Sequence, residues 1–477
     1  MTGSRLLLVR TILLLGCGLG LMAQSDSPKP QSPQPDPQQA EPPPSDSQQA
    51  DSSAADSGQE YSGPAILSRG QTPSLQGMVP VAFRPYIGVS GTYNTGLLPV
   101  EVTSTGHIPS SDAYGEEIDL GAYIYRVFKG TTLALDLGGY LRHYTNSYSE
   151  GANQFLSLSL THEITKRVMF TLRTQAGLYT LNDYSLSAPL GGLDSNYLPL
   201  PQDQIFDNRV IFTSASGDLT YLLSPVLSFS VGANGSLVRR ESSALYGSTG
   251  AGAHGDLQYR ISRHTTIGAD YSYMYFGYTR GFGNSDIHSV GISYSAQISP
   301  HLQLSANIGG TRVESTSLAD ITLDPAVAAI LGESEAIQAA YHLNYVPAIQ
   351  AQLANTFRRS QFTLSYNNRV TPGNGVYTIS RNNTGGAYYS YSGVHYWNFG
   401  ASASYGRMSS LAQTLGAYTS YGGGAGVTRE LGKGLHAVVR LDARHNDIAS
   451  GALYRRTQYS ASLGVTFSPG DVPLRLW

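Results

Sequence analysis

The 477-residue chain is poor in charge: Asp, Glu, Lys and Arg make up 13% of it, where an ordinary soluble domain carries about 25%. A net charge of -3 excludes the basic surface of a nucleic-acid binder, so no nucleic acid is expected as a partner. The single cysteine, Cys17, excludes a disulfide framework and a thiolate metal cluster. No apolar run after residue 23 approaches the roughly 20 residues that a membrane-crossing helix needs. If such a chain enters a membrane, it does so as closed strands, because lipid leaves no other way to satisfy the backbone.

What the sequence does have begins with a secretory signal over residues 1–23. Arg5 and Arg10 lie before or within the apolar stretch Thr11 to Met22, and a small-residue processing site follows at Ala23. The competing reading takes Leu14-Leu15-Gly16-Cys17 as a lipoprotein signal with Cys17 lipidated. Residues 24–60 are mostly Pro, Gln, Ser, Ala and Asp, with almost nothing to bury, and read as a disordered periplasmic tether. Residues 61–83 are more apolar and form a pre-barrel segment, and 84–477 is expected to be one barrel.

The barrel expectation rests on alternation. In Gly434 to Asn446, Leu435, Ala437, Val439, Leu441 and Ala443 share one face while His436, Arg440, Asp442 and Arg444 share the other. Successive side chains of a strand point to opposite sides, so one side suits hydrocarbon and the other water. The pattern recurs at Thr132 to Arg142, around Phe170 to Gln175, at Gln361 to Arg369 and at Gln458 to Phe467. Tight connections (Lys129-Gly130, Ser224-Pro225, Ser299-Pro300, Leu431 to Gly434) also alternate with long polar ones. This is the asymmetry of short periplasmic turns and long extracellular loops. The expected fold is therefore all-β, an antiparallel up-and-down transmembrane barrel of about eighteen strands, with sixteen as the rival count. Pro347 interrupts the run from Ile337 to Phe357 and predicts a bulge there.

These features, with the terminal aromatic Trp477, resemble the bacterial outer-membrane β-barrel (porin-like) superfamily over residues 84–477. The resemblance implies an integral outer-membrane protein in contact with membrane lipid and lipopolysaccharide. It also implies folding by the barrel-assembly machinery with Trp477 as the recognition residue, passage of small hydrophilic solutes, and room for a homo-oligomer.

Eighteen strands enclose a lumen wide enough for water. Its wall is expected to carry Glu117, Asp119, Asp136, Arg142, Arg173 and Asp256, together with Arg260, Arg369, Arg440, Asp442 and Arg444. Such residues either set a field for passing solutes or brace the lumen as ion pairs. Two long loops are candidates to narrow it: 180–208, and 316–336, where Asp324 can cap a short helix from Pro325 to Leu331 ended by Gly332. No nucleophile-and-base motif or metal-ligand spacing is present, so catalysis, cofactors and metals are not expected. His143, His254, His288, His395 and His436 read as wall, interface or turn residues. The expected function is passive diffusion. An export barrel for polysaccharide or another delivered substrate, and a structural or adhesion barrel, are the alternatives.

Overall fold

The computed structural model describes residues 81–97, 111–144, 150–179, 209–322, 329–330, 334–412, 416–448 and 455–469. The signal, the tether, most of the pre-barrel segment, loop 180–208 and Trp477 lie outside them. The described chain forms eighteen strands. The first nine are β1 (Val81–Leu97), β2 (Ser111–Phe128), β3 (Thr131–Tyr144), β4 (Glu150–Thr165), β5 (Val168–Tyr179), β6 (Val210–Leu222), β7 (Leu227–Arg240), β8 (Gly247–Arg260) and β9 (Thr265–Thr279). The rest are β10 (Asn284–Gln297), β11 (Leu302–Thr322), β12 (Glu335–Thr356), β13 (Ser360–Thr371), β14 (Ser380–Tyr391), β15 (Trp397–Ser410), β16 (Tyr418–Gly432), β17 (Leu435–Ile448) and β18 (Arg455–Phe467).

Every strand pairs antiparallel with its sequence neighbours, and β1 pairs with β18 from Ile87↔Phe467 to Asn94↔Ser460, so the sheet closes on itself. Closure removes both edges, which is what lets a sheet stand in hydrocarbon. The tight turns carry their own chemistry. Lys433 and Gly434 both have positive φ, the signature of a two-residue hairpin whose twist matches its strands. Elsewhere a hydroxyl does the work: Ser224 Oγ accepts from the backbone N–H groups of Val226 and Leu227, and Ser299 Oγ from those of His301 and Leu302.

Burial follows the alternation. On β10 Val290, Ile292 and Tyr294 are exposed, while Ser285, Ile287 and Gly291 of the opposite face are buried. Paired residues of neighbouring strands lie on one side of the sheet, and the registers carry this division around the whole ring: Ile292 pairs with Ile308 and Ala269, Ser293 with Asn307 and Gly268. Aliphatic residues thus dominate an outward band at mid-strand, while many hydroxyl, amide, glycine and charged residues face inward.

Two expectations are corrected. Pro347 makes no bulge: it pairs with Gly310 of β11 without a register shift. The β12–β13 ladder ends at Ile349↔Asn368, so the proline, which has no N–H to offer, falls where β13 has already departed. Much of the expected loop 316–336 is also not loop, because β11 continues to Thr322 and β12 starts at Glu335. Of the expected helix only Ala329 and Ile330 are described, both helical and exposed.

Candidate functional site: the inward wall and its strap

All eleven residues singled out from the sequence fall on the inward side of the ladder. Glu117 and Asp119 alternate with outward Ile118 and Leu120 on β2. Glu117 pairs across with Arg142 of β3, and the two side chains form an ion pair, fully covered on the Glu117 side. The Arg142 guanidinium also donates to Tyr144 Oη (2.8 Å) and lies 4.6 Å from the Tyr140 ring centroid, while Asn153 Nδ2 donates to Tyr140 Oη (2.6 Å). A second group sits on β17, where the Arg440 guanidinium holds Asp442 with two hydrogen bonds of 2.6 and 3.0 Å. Arg444 turns instead to Asn446 Oδ1 (2.9 Å) and Tyr418 Oη (3.0 Å). Both groups orient an arginine by a rigid partner, which fixes where its charge stands.

The others are placed by their strand partners. Asp136 is buried between Tyr123 and Ser157, Arg173 stands between Ser159 and Ser216, and Arg369 faces Asn382. Asp256 pairs with Asp270, and Arg260 is exposed beside the turn that ends β8.

Sequence reading missed two inward carboxylates, Asp218 and Asp270. Asp218 Oδ1 of β6 lies 2.6 Å from His254 Nε2 of β8, and Asn307 Nδ2 of β11 donates to Asp270 Oδ1 at 2.6 Å. With Asp256, these place three carboxylates on β6, β8 and β9. In a ring of eighteen, β8 and β17 are nine strands apart, so the acidic sector stands opposite Arg440 and Arg444.

Inward aromatic rings lie flat where glycine leaves room. Tyr86 of β1 covers Gly121 and Gly138, and at Gly138 the tyrosine Oη is the only neighbour within 4 Å of an added Cβ, at 2.9 Å. Gly138→Leu is therefore expected to lift Tyr86 off the wall. Single-channel conductance should fall by a modest fraction with folding intact, and an unchanged conductance would contradict this placement.

The second missed feature is the connection 372–379 between β13 and β14, which lies along the inside of the wall. Ile379, 1% exposed, packs with Phe276, Ile287, Val313 and Val346, which belong to the inward faces of β9 to β12. Gly375 O accepts a hydrogen bond from Tyr246 N (3.0 Å) in the β7–β8 connection. Gly375 has φ +95°, and an added Cβ would meet Arg240 Nε at 2.6 Å, so only glycine fits this crossing. Asn374 Oδ1 caps the turn by accepting from Val376 and Tyr377 N–H groups, and Tyr377 Oη donates to Gly416 O at 2.6 Å. Tyr377 is also packed with Met408 and Tyr418, and burial raises its phenol pKa above the usual range. Residues 411–412 join the same layer through Asn344 Nδ2→Leu411 O (3.1 Å) and Ser317 Oγ→Ala412 O (3.2 Å). The result is a strap anchored at both ends that covers the lumen wall from β7 to β16.

A closed ladder, an outward aliphatic band and an inward polar wall together define a membrane-spanning antiparallel β-barrel. No protein-family model matches the chain, and no curated protein sequence matches it. Among solved structures it is similar to Pseudomonas aeruginosa OpdQ (13% identity, 82% of this chain and 98% of that one, TM-score 0.38). It is also similar to Pseudomonas aeruginosa OccK2 (OpdF) in complex with glucuronate (10% identity, 81% and 98%, TM-score 0.41). A third is Acinetobacter baumannii OccAB3 (9% identity, 81% and 98%, TM-score 0.37). The assignment of the fold rests on the closed ladder itself.

Proposed function

We propose that the protein is an outer-membrane channel for passive diffusion of small hydrophilic solutes, with the strap as its constriction. The observation that carries this reading is the sidedness of the closed ladder. Hydroxyl, amide and charged groups line much of the enclosed side, while the outward band is mainly aliphatic and leaves hydrocarbon little polar surface to desolvate. Diffusion through such a conduit needs no chemical turnover. Among the described residues no group of three His, Cys, Asp or Glu side chains is placed to hold a metal ion.

The facing sectors give the conduit a transverse field. A solute carrying both signs of charge aligns with its anionic end towards Arg440 and Arg444 and its cationic end towards Asp218, Asp256 and Asp270. Reconstitution in a planar bilayer under unequal salt tests the reading, with ohmic single-channel currents as the expected result. Exchanging Arg440 and Arg444 for glutamine should move the reversal potential towards cation preference. Folded, inserted protein that passes no current would turn the reading towards an export or structural barrel.

A further inference from the structure

We propose that the inward wall of β1 to β6 is a binding track for neutral pyranose saccharides. This rests on the channel reading above and names the class of solute that the conduit favours. One row of paired inward residues crosses these strands in the order Tyr86, Gly121, Gly138, Phe155, Gly177, Phe212, so it consists wholly of aromatic rings and glycines. The glycines are where the rings lie. A Cβ added at Gly121 would meet Tyr86 Oη at 2.5 Å, and one added at Gly177 would meet Phe212 Cε1 at 2.5 Å. Phe212 is buried among Val210, Val238 and Phe155, and so backs Phe155. The half-buried rings of Tyr86 and Phe155 are the faces that a solute can reach.

The neighbouring rows have the opposite character. On one side stand Asp119, Tyr140 and Asn153, and on the other Asp136, Ser157, Gln175 and Ser214. A strip of ring faces is thus edged on both sides by hydrogen-bonding groups. A pyranose has matching chemistry: two C–H faces that settle on aromatic rings, and a girdle of hydroxyls that needs donors and acceptors beside them. The edge also has capacity to spare. Gln175 Oε1 and Ser214 Oγ, on residues paired across β5 and β6, have no hydrogen-bond partner among the described residues, and Ser214 is 2% exposed. Buried polar groups are rarely left so, and a sugar hydroxyl supplies what the wall does not.

Position and pitch bring solutes to the track. The strap covers β7 to β16, so β2 and β3 face it across the ring of eighteen strands. With strands about 4.8 Å apart and tilted about 40°, the row runs roughly 24 Å across the wall and climbs roughly 15 Å along the axis. A saccharide that passes from one ring to the next therefore advances through the pore. A neutral solute gains nothing from the transverse field, so its selection falls to contact of this kind.

The test uses full-length protein in a planar bilayer, with maltotriose as the probe and polyethylene glycol of similar mass as a neutral control. Maltotriose is expected to interrupt the ion current saturably, whereas the polymer lowers it in simple proportion to concentration. Tyr86→Ala with Phe155→Ala should raise the half-saturating concentration roughly tenfold. Gln175→Ala should raise it severalfold, and Gly138→Leu, which lifts Tyr86 but deletes no ring, should act in the same direction. Tyr389→Ala, on the outward face of β14, should leave it unchanged. The ion current without sugar reports that each variant is folded. A blockade that survives loss of both rings overturns the proposal, as does polymer that blocks as saturably as the sugar. A normal ion current that maltotriose never blocks saturably overturns the track alone and leaves the channel reading standing, while inserted protein that passes no current overturns both.

Discussion

Replacing Asn374 to Thr378 by a Gly-Ser link is expected to raise single-channel conductance severalfold and to weaken discrimination against larger solutes. The strap reaches across five strand positions of wall, from the β13–β14 corner to Tyr246, and covers side chains that would otherwise meet water. Its removal widens the passage without touching a ladder bond, because β13 and β14 pair to Thr371↔Ser380 and end before it. Gly375→Val should give the same direction through a single residue. A branched side chain meets Arg240 and is strained at φ +95°, so the crossing must lift. The anchor at the other end offers a third route. Ile379→Asp places a carboxylate among Phe276, Ile287, Val313 and Val346, where an unpaired charge costs several kcal/mol and the strap end detaches instead. Solute-exclusion measurements with neutral polymers of graded size check all three. Unchanged conductance and cutoff in the shortened variant would show that the constriction lies elsewhere.

Ile292→Arg should destabilise the barrel in lipid by about 2–4 kcal/mol, while Ser293→Arg one residue later costs little. Ile292 is 61% exposed, points away from the lumen and sits in the middle of β10 among Ile308 and Ala269. An arginine there loses water and finds no partner in hydrocarbon. Ser293 points inward beside Asn307, next to Asp270, so an arginine at that position gains a carboxylate and keeps its solvent. Urea titration of folded protein in phospholipid vesicles measures both. Equal costs at the two positions would contradict the sidedness of the sheet.

The parts of this fold that follow from local alternation were readable in the sequence. Leu435 to Ala443 against His436 to Arg444 needs no distant partner to show its two faces, and tight turns such as Lys433-Gly434 announce themselves by residue type. The strand count followed. The acidic sector was harder. In β6 the outward set includes Thr213, Ala215 and Gly217 while the inward set includes Val210 and Phe212, so neither face looks apolar enough to assign Asp218 by eye.

The strap was unreadable for a different reason. Pro372-Gly373-Asn374-Gly375 is ordinary turn chemistry, and nothing local says that Ile379 meets Phe276 or that Gly375 meets Tyr246. Its direction is set by pairings more than a hundred residues away. Loop length pointed to 316–336 instead, because the continuation of β11 and β12 above the band carries Ala, Thr and Ser, which read as loop as readily as strand.

Thiol labelling during bilayer recording tests the central claim most directly. In a Cys17→Ser background, cysteines are placed one at a time at Ala401, Ser402, Ala403 and Ser404 of β15, whose register assigns Ser402 and Ser404 to the lumen and Ala401 and Ala403 to lipid. A charged, membrane-impermeant methanethiosulfonate should step the current down at 402 and 404 and leave it untouched at 401 and 403. Modification at 401 and 403, or a current indifferent to all four, would contradict a water-filled passage lined by the inward face.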